Sequence, residues 1–283
     1  MNAGRNPKSN GNRKGGIVKV WSVCNQKGGV GKTTTAVTLA GLLAQRQQNI
    51  LLIDLDPHGS MSSYFGINPD DTEDTVYSLF EEGASTLSIL ANTQATDISG
   101  ISLLPASTGL ATLDRQMSAR PGLGLVLKTA LQRVSKRFDH VIIDSPPMLG
   151  VLMVNALVAC EKLLVPVQTE FLALKGLERM ETTLAMICKS SGIAPDILIV
   201  PTLYDQRTRA SVQTLEVLRR DFATQLWESL IPVDTRFRDA AKIGKPLSYL
   251  QPNSRGVEAY SRLLDDLLAE EAMQDHAPQV ALS

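Results

Sequence analysis

The chain has 283 residues, 43% hydrophobic and 20% charged, with a formal net charge of −1. That length suits one large α/β domain or at most two smaller ones, with the apolar content of a globular protein. The near-neutral balance excludes a globally basic nucleic-acid coat, so any such contact has to come from a local patch.

The first 16 residues, MNAGRNPKSNGNRKGG, hold four basic residues and no acidic one. They lack the apolar stretch of a secretory signal and read as a disordered tail, with a weakly DNA-attracting arm as the alternative. A single domain is expected over 17–275, followed by a second disordered tail over 276–283. VKVWSVCN reads as a strand running into a glycine-rich loop. TTAVTLAGLLAQRQ then carries apolar residues at helical spacing. NILLIDLD is a nearly continuous apolar run ending in acids, the pattern of a strand buried on both faces. The same reading fits ISLLPAS, HVIIDSPP, KLLVPVQ, DILIVPTLYD and LWESLIPVD. Helical stretches are expected around 123–136, 151–160, 172–190 and 208–223, with a last amphipathic helix from about Arg255 to Glu271. Segment 67–100 carries no readable pattern. Alternating strand and helix imply a doubly wound, mainly parallel sheet flanked by helices. No run reaches the roughly 18 apolar residues of a membrane span. Cys24, Cys160 and Cys188 are odd in number and widely spaced, and read as reduced cytosolic thiols.

In such sheets ligands sit at the carboxyl ends of the strands. The loop NQKGGVGKTTT lies at the first of these ends. The pattern G-x-x-x-x-G-K-[ST] asks for glycine at position 26. Gln26 stands there instead, and an extra lysine, Lys27, precedes the glycine pair. Gly28, Gly29 and Gly31 let the backbone curl so that its N–H groups converge on an anion at a helix N-terminus. Val30 and Thr34 complete the nucleotide-binding loop. Lys32 is placed to pair with the β- and γ-phosphates and the Thr33 hydroxyl to coordinate Mg²⁺. Asp54 and Asp144 end strands where carboxylates hold the waters of such a cation. Asp56, two residues beyond Asp54, points to the same side of an extended chain and is free to polarise an attacking water. The reaction class is nucleoside triphosphate hydrolysis by positioning and electrostatics.

KGGVGKTTT resembles the deviant Walker A loop of the ParA/MinD family of ATPases. DLDPHGS resembles the family's switch I and VIIDSPP its switch II. LYDQRT and IPVDTRFRDAAKIGKP resemble later ParA segments, and SRGVEAY the start of the terminal helix. The resemblance runs from about Val18 to Glu270. It implies ATP and Mg²⁺ as ligands and a homodimer in the ATP-bound state. It makes Lys27 the signature lysine that reaches the partner's phosphates, and Gly28 the glycine that lets two subunits approach. It assigns catalysis to Lys27, Lys32 and Asp56 and the metal side to Thr33, Asp54 and Asp144. It points to Pro232 and Asp234, in the loop after the last strand, for the adenine pocket.

Members of this family differ in what the dimer binds. Membrane-bound ones end in a basic amphipathic helix, whereas this chain ends in the acidic RLLDDLLAEEAMQDHAPQVALS, which argues against a membrane. Arg207 and Arg236 match arginines that contact non-specific DNA, although Val233 stands where arginine is common. DPHGSMSSYFG, GVLMVNALVA, QTEFLALKGLERM and PVDTRFRDA resemble the ParC-type branch, which positions chemotaxis arrays at the pole. That implies a protein adaptor as partner and a nucleoid or polar location. The alternative is chromosome or plasmid segregation with a centromere-binding partner. An iron–sulfur reductase sharing the loop needs paired cysteines at the dimer axis, and a module that only binds nucleotide needs an idle Asp56. His58, where ParA proteins have glutamine, reads as a surface loop residue.

Overall fold

Every residue of Ile50–Asp54 and of His140–Asp144 is buried, because each run is covered on both faces. Leu51 and Ile53 enter one core while Ile50 and Leu52 enter the other. A strand between two helical layers therefore needs no polar alternation. The computed structural model describes residues 18–81, 86–116 and 123–276. The tails expected over 1–16 and 276–283 lie outside these residues, apart from His276, which closes the last helix.

In chain order the strands are β1 (Lys19–Val23), β2 (Ile50–Asp54), β3 (Gln94–Ala95), β4 (Ile101–Leu104), β5 (His140–Asp144), β6 (Lys162–Gln168) and β7 (Asp196–Thr202). The helices are α1 (Lys32–Gln45), α2 (Ser60–Tyr64), α3 (Tyr77–Glu81), α4 (Thr86–Asn92), α5 (Leu110–Gln116) and α6 (Val126–Val134), then α7 (Val151–Ala159), α8 (Phe171–Ser191), α9 (Arg209–Asp221), α10 (Arg236–Ile243), α11 (Leu247–Leu250) and α12 (Arg255–His276). The sheet order is β3-β4-β2-β5-β1-β6-β7. Its pairs are parallel except β3 with β4. This is the doubly wound, mainly parallel sheet that the alternation implies. One core holds buried side chains of α6, α7 and α8, and the other those of α1 and α12.

Register fixes the site. Val23 lies opposite Asp144, and Asp144 lies opposite Asp54. The ends of β1, β5 and β2 therefore stand side by side, and the loop after β1 opens beside two carboxylates.

Two expectations need correction. LWESLIPVD does not form a strand. It meets β7 and the residues just beyond it through isolated bridges, Ile199 with Leu226 and Tyr204 with Pro232, and not through a continuous ladder. Trp227 N and Ile231 N donate to Ile199 O and Pro201 O, but Glu228 and Ser229 bend away between them. Segment 67–100, blank by pattern, holds α3, α4 and β3, elements of two to seven residues that are too short to show a period.

Helix α12 buries Val257, Tyr260, Leu263, Leu264 and Leu267 along one face, an apolar stripe at helical spacing. The Tyr260 hydroxyl shares a 2.8 Å hydrogen bond with Thr35 Oγ1, which ties the helix to α1 just behind the loop.

Candidate functional site

The loop between β1 and α1 is pinned from below and from the side. Asn25 Nδ2 donates to Pro166 O at 2.8 Å and Asn25 Oδ1 accepts from Lys27 N at 2.8 Å. Thr202 Oγ1 donates to Val30 O at 2.8 Å. Gly29 (φ 76°) and Gly31 (φ 97°) hold left-handed backbone, which a side chain would strain. The next residue opens α1, which has no side-chain cap and no acidic residue in its first turn. Its unpaired N–H groups and positive dipole end therefore face the loop, the arrangement that receives an anion.

Lys32 is buried and donates to Lys27 O at 3.3 Å. The Thr33 hydroxyl donates to Asp144 Oδ2 at 2.5 Å. The other Asp144 oxygen, Oδ1, is buried without a partner. Asp54 is better satisfied: its Oδ2 accepts from Ser62 N and Ser62 Oγ, both at 2.8 Å, and its Oδ1 from Asp56 N at 3.2 Å. Burial pushes the Asp144 carboxyl well above the usual range, and the charge of Asp54 adds to it. Burial raises Asp54 as well, against the Ser62 hydrogen bonds that pull it down.

Two adjacent buried carboxylates, one with an orphaned oxygen, beside a threonine hydroxyl make a hard oxygen donor set. They suit a divalent cation such as Mg²⁺. Among the described residues no group of three or more His, Cys, Asp or Glu side chains gathers to hold a metal alone. A cation here would complete its shell with water and phosphate oxygens, the habit of Mg²⁺.

An open cleft of about 650 Å³ runs from the loop across the top of the sheet. Gly28 to Thr34 form one end, Asp56 and His58 a side, and Pro232, Asp234 and Phe237 the far end. The Asp234 carboxylate is not free. It accepts from Arg236 Nε at 2.7 Å and Nη2 at 2.6 Å, and from Gly256 N at 3.1 Å.

Lys27 is not among the residues lining the cleft. Its ammonium pairs with Glu170 and donates to Gln168 Oε1 at 3.2 Å. Gly28 is exposed, and a Cβ built there would meet nothing within 4 Å of its own chain. Arg207 is clamped by Asp205, with Nε at 2.9 Å and Nη2 at 2.7 Å from the two carboxylate oxygens. Both arginines singled out by sequence thus carry a carboxylate two residues upstream. The bridge between Tyr204 and Pro232 sets their two loops beside one another. Cys24 and Cys160 are buried, and burial raises both thiols.

Sequence reasoning missed Ser62, Glu170 and Gln168. Glu170 and Gln168 obey the rule that flagged Asp54 and Asp144, being polar groups at the carboxyl end of a greasy strand. Ser62 lies eight residues from the carboxylate it serves, and no local spacing announces it.

Comparison with known proteins gives consistent relatives. Residues 18–199 match the family described as AAA domain. The chain is 35% identical to the sporulation initiation inhibitor protein Soj of Bacillus subtilis over 254 residues, 89% of this chain and 98% of that one. It is 32% identical to the chromosome partitioning protein ParA of Myxococcus xanthus, covering 94% and 93% of the two chains. Among solved structures, cobyrinic acid a,c-diamide synthase from Mycobacterium smegmatis with bound ADP and magnesium is 31% identical. It superposes with a TM-score of 0.73 over 89% of this chain and 94% of that one. The ATP complex of a Cyanothece McdA variant shares the fold, with a TM-score of 0.79 at 22% identity over 89% and 97% of the two chains.

Proposed function

The chain belongs to the ParA/MinD family of P-loop ATPases, and from that premise we propose that it is an ATP-driven dimerising switch that positions a cellular cargo. The observation that carries this reading is the Thr33–Asp144 pair at the head of α1, with one buried Asp144 oxygen left unpartnered. Residues 28–34 cradle the phosphates of ATP, and the Lys32 ammonium neutralises them. Thr33, Asp144 and, through water, Asp54 would hold Mg²⁺. When bound, that ion offsets the charge of the phosphates and of the buried carboxylates. Pro232 and Phe237 offer an apolar wall to the base, and Asp234 stands beside them. Asp56 serves hydrolysis at the phosphate end.

Lys27 acts on the nucleotide of a second copy. Three features support this. Gly28 is open on its own chain's side, so its lack of a side chain matters to something outside it. Met148, Leu149, Phe171 and Leu172 are exposed in the segments that leave β5 and β6, an apolar surface suited to burial in a dimer. Lys27 itself lies off its own cleft.

Arg207 and Arg236 of the ATP-bound dimer contact DNA phosphates without reading sequence. Asp205 and Asp234 cancel part of their charge, and Val233 adds none, so this affinity is modest and falls with salt. The cargo in the first reading is a chemotaxis array reached through a protein adaptor, on the strength of the DPHGSMSSYFG and QTEFLALKGLERM segments. Segregation with a centromere-binding partner is the second reading, and the Soj and ParA relatives favour it.

Size-exclusion chromatography with light scattering tests the switch. The chain should dimerise with ATP and Mg²⁺ and remain monomeric with ADP. Lys27→Ala should bind nucleotide and stay monomeric. An intact ATP dimer of that variant would refute the cross-subunit role.

A further inference from the structure

His58 is a titratable residue of the cleft to which the family resemblance gives no role, and its surroundings are built rather than incidental. Its Nδ1 lies 2.8 Å from Asp56 Oδ1, which also accepts its backbone N–H at 3.0 Å. The carboxylate fixes the turn through one contact and the ring through the other. A carboxylate can only accept, so Nδ1 carries the proton, and Nε2 of the neutral ring is an acceptor. The side chain is 81% exposed and, with Asp56, faces the same cleft as Lys32 and Thr33.

We propose that His58 and Asp56 form a dyad in which His58 Nε2 takes the proton of the attacking water and Asp56 positions the imidazole. This rests on the reading of the chain as an ATPase. The water oxygen bonds to the γ-phosphorus as the bond from that phosphorus to the β–γ bridging oxygen breaks. ADP leaves with the bridging oxygen, and one water proton passes to Nε2. The imidazolium is held by the Asp56 carboxylate and later releases its proton to solvent, leaving ADP and inorganic phosphate. Asp56 is then a positioning residue acting through His58. A glutamine at position 58 could orient the water but could not take the proton.

The test compares the wild type with His58→Gln, which keeps the backbone contact to Asp56. Steady-state ATP hydrolysis is measured against pH. The wild-type kcat should fall as the solution is made more acidic, because a protonated ring has no lone pair with which to take the water's proton. The variant should lose that limb and about 100-fold in kcat, the low end of what a positioned general base contributes, with KM for ATP unchanged. Lys32, Tyr64, Asp234 and Arg238 line the cleft, and Asp54 and Asp144 lie behind it. All are common to both proteins, so the difference between profiles isolates the imidazole. A second readout needs no turnover. In ¹⁵N-histidine NMR of the nucleotide-free chain, the resonance lost in His58→Gln should show the proton on Nδ1, and Asp56→Ala should shift it toward Nε2. Equal kcat and equal pH profiles in the two proteins, or an unchanged tautomer in Asp56→Ala, would overturn the dyad while leaving the ATPase reading intact. A wild type that binds ATP and does not hydrolyse it would overturn both.

Discussion

The two ends of the sheet treat buried polar groups in opposite ways. At the amino end the chain pairs its own charged groups through α12, although His140 Nδ1 stays buried without a partner. Trp21 Nε1 donates to Glu271 Oε1 at 2.9 Å, and His140 Nε2 lies 3.2 Å from Glu271 Oε2. Lys19 pairs with Asp275 at 2.7 Å, and Lys162 with Asp196 at 2.7 Å and with Glu270. At the carboxyl end Asp54 and Asp144 are crowded together, and one Asp144 oxygen has no partner. The same sheet thus supplies stability at one end and at the other holds charge in a state that a cation and an anion would relieve. Neither polar burial nor a single unpaired atom marks a site, since His140 Nδ1 and Ser22 Oγ are also unpaired; two carboxyls crowded together in the core, one of them incomplete, do.

Breaking the closed end should produce the largest effect. Glu271→Ala removes the acceptor of Trp21 and the partner of His140 together, both ring systems being buried. A buried polar group left unpaired costs about 1–3 kcal/mol, so the loss should be about 2–5 kcal/mol. Thermal unfolding should drop by roughly 5–15 °C, at about 2–4 °C per kcal/mol for a chain of this size. Nucleotide affinity at the far end should hold, since sites this separate behave independently. A variant as stable as the wild type would mean that the amino-end contacts are ornamental.

The open end should respond with the opposite sign. Asp144 and Asp54 have carboxyls raised above their unfolded values. The folded chain therefore prefers them protonated, and without nucleotide it loses stability as pH rises above the ordinary carboxylate range, about pH 4, toward the raised folded values. Asp144→Asn removes the carboxyl whose ionisation the fold opposes. The nucleotide-free variant should gain about 1–2 kcal/mol near neutral pH, where holding a buried carboxyl protonated costs the wild type stability. Its melting temperature should also vary less between pH 5 and 8. The same variant should lose Mg²⁺-dependent ATP binding by calorimetry. A destabilised Asp144→Asn would place Asp144 with the closed contacts rather than the open ones.

What the sequence revealed follows the same division. β1, β2, β4, β5, β6 and β7 were legible because strands covered on both faces carry unbroken apolar runs, and acids ending those runs stood out. Asp54 and Asp144 were legible for that reason, Lys32 and Thr33 through the glycine-rich loop pattern, and the structure sets them together. LWESLIPVD misled because its apolar residues fill the layer beside β7 through two separated bridges, a packing that composition does not distinguish from a ladder. β3, α3 and α4 were too short to carry a period. Helix α10 hid in a segment that was read as a motif rather than a helix, and the contacts of Asp234 with Arg236 and Gly256 depend on that fold. The ties of Trp21 and His140 to Glu271 span 250 and 131 residues, beyond the reach of any local pattern.

The smallest effect concerns a contact that belongs to neither class. Lys27 and Glu170 close on each other, yet they do so at the open end and on the face proposed to receive a second copy. Their side chains are about a third exposed, at 32% and 37%, so the pair is worth about 0.2–1 kcal/mol after solvent screening. If Lys27 has to leave Glu170 before it can reach a partner's nucleotide, that energy opposes dimerisation. Two such pairs open in a symmetric dimer, so Glu170→Gln should then tighten the ATP-bound dimer by about 2- to 25-fold, since 1.4 kcal/mol corresponds to tenfold. Sedimentation at several protein concentrations would read the change. The double variant Lys27→Ala/Glu170→Gln should be as monomeric as Lys27→Ala alone, because without the lysine there is nothing to release. A Glu170→Gln dimer weaker than the wild type would reverse the assignment: Glu170 would then contribute to the interface, and the contact with Lys27 would be its resting place rather than a restraint.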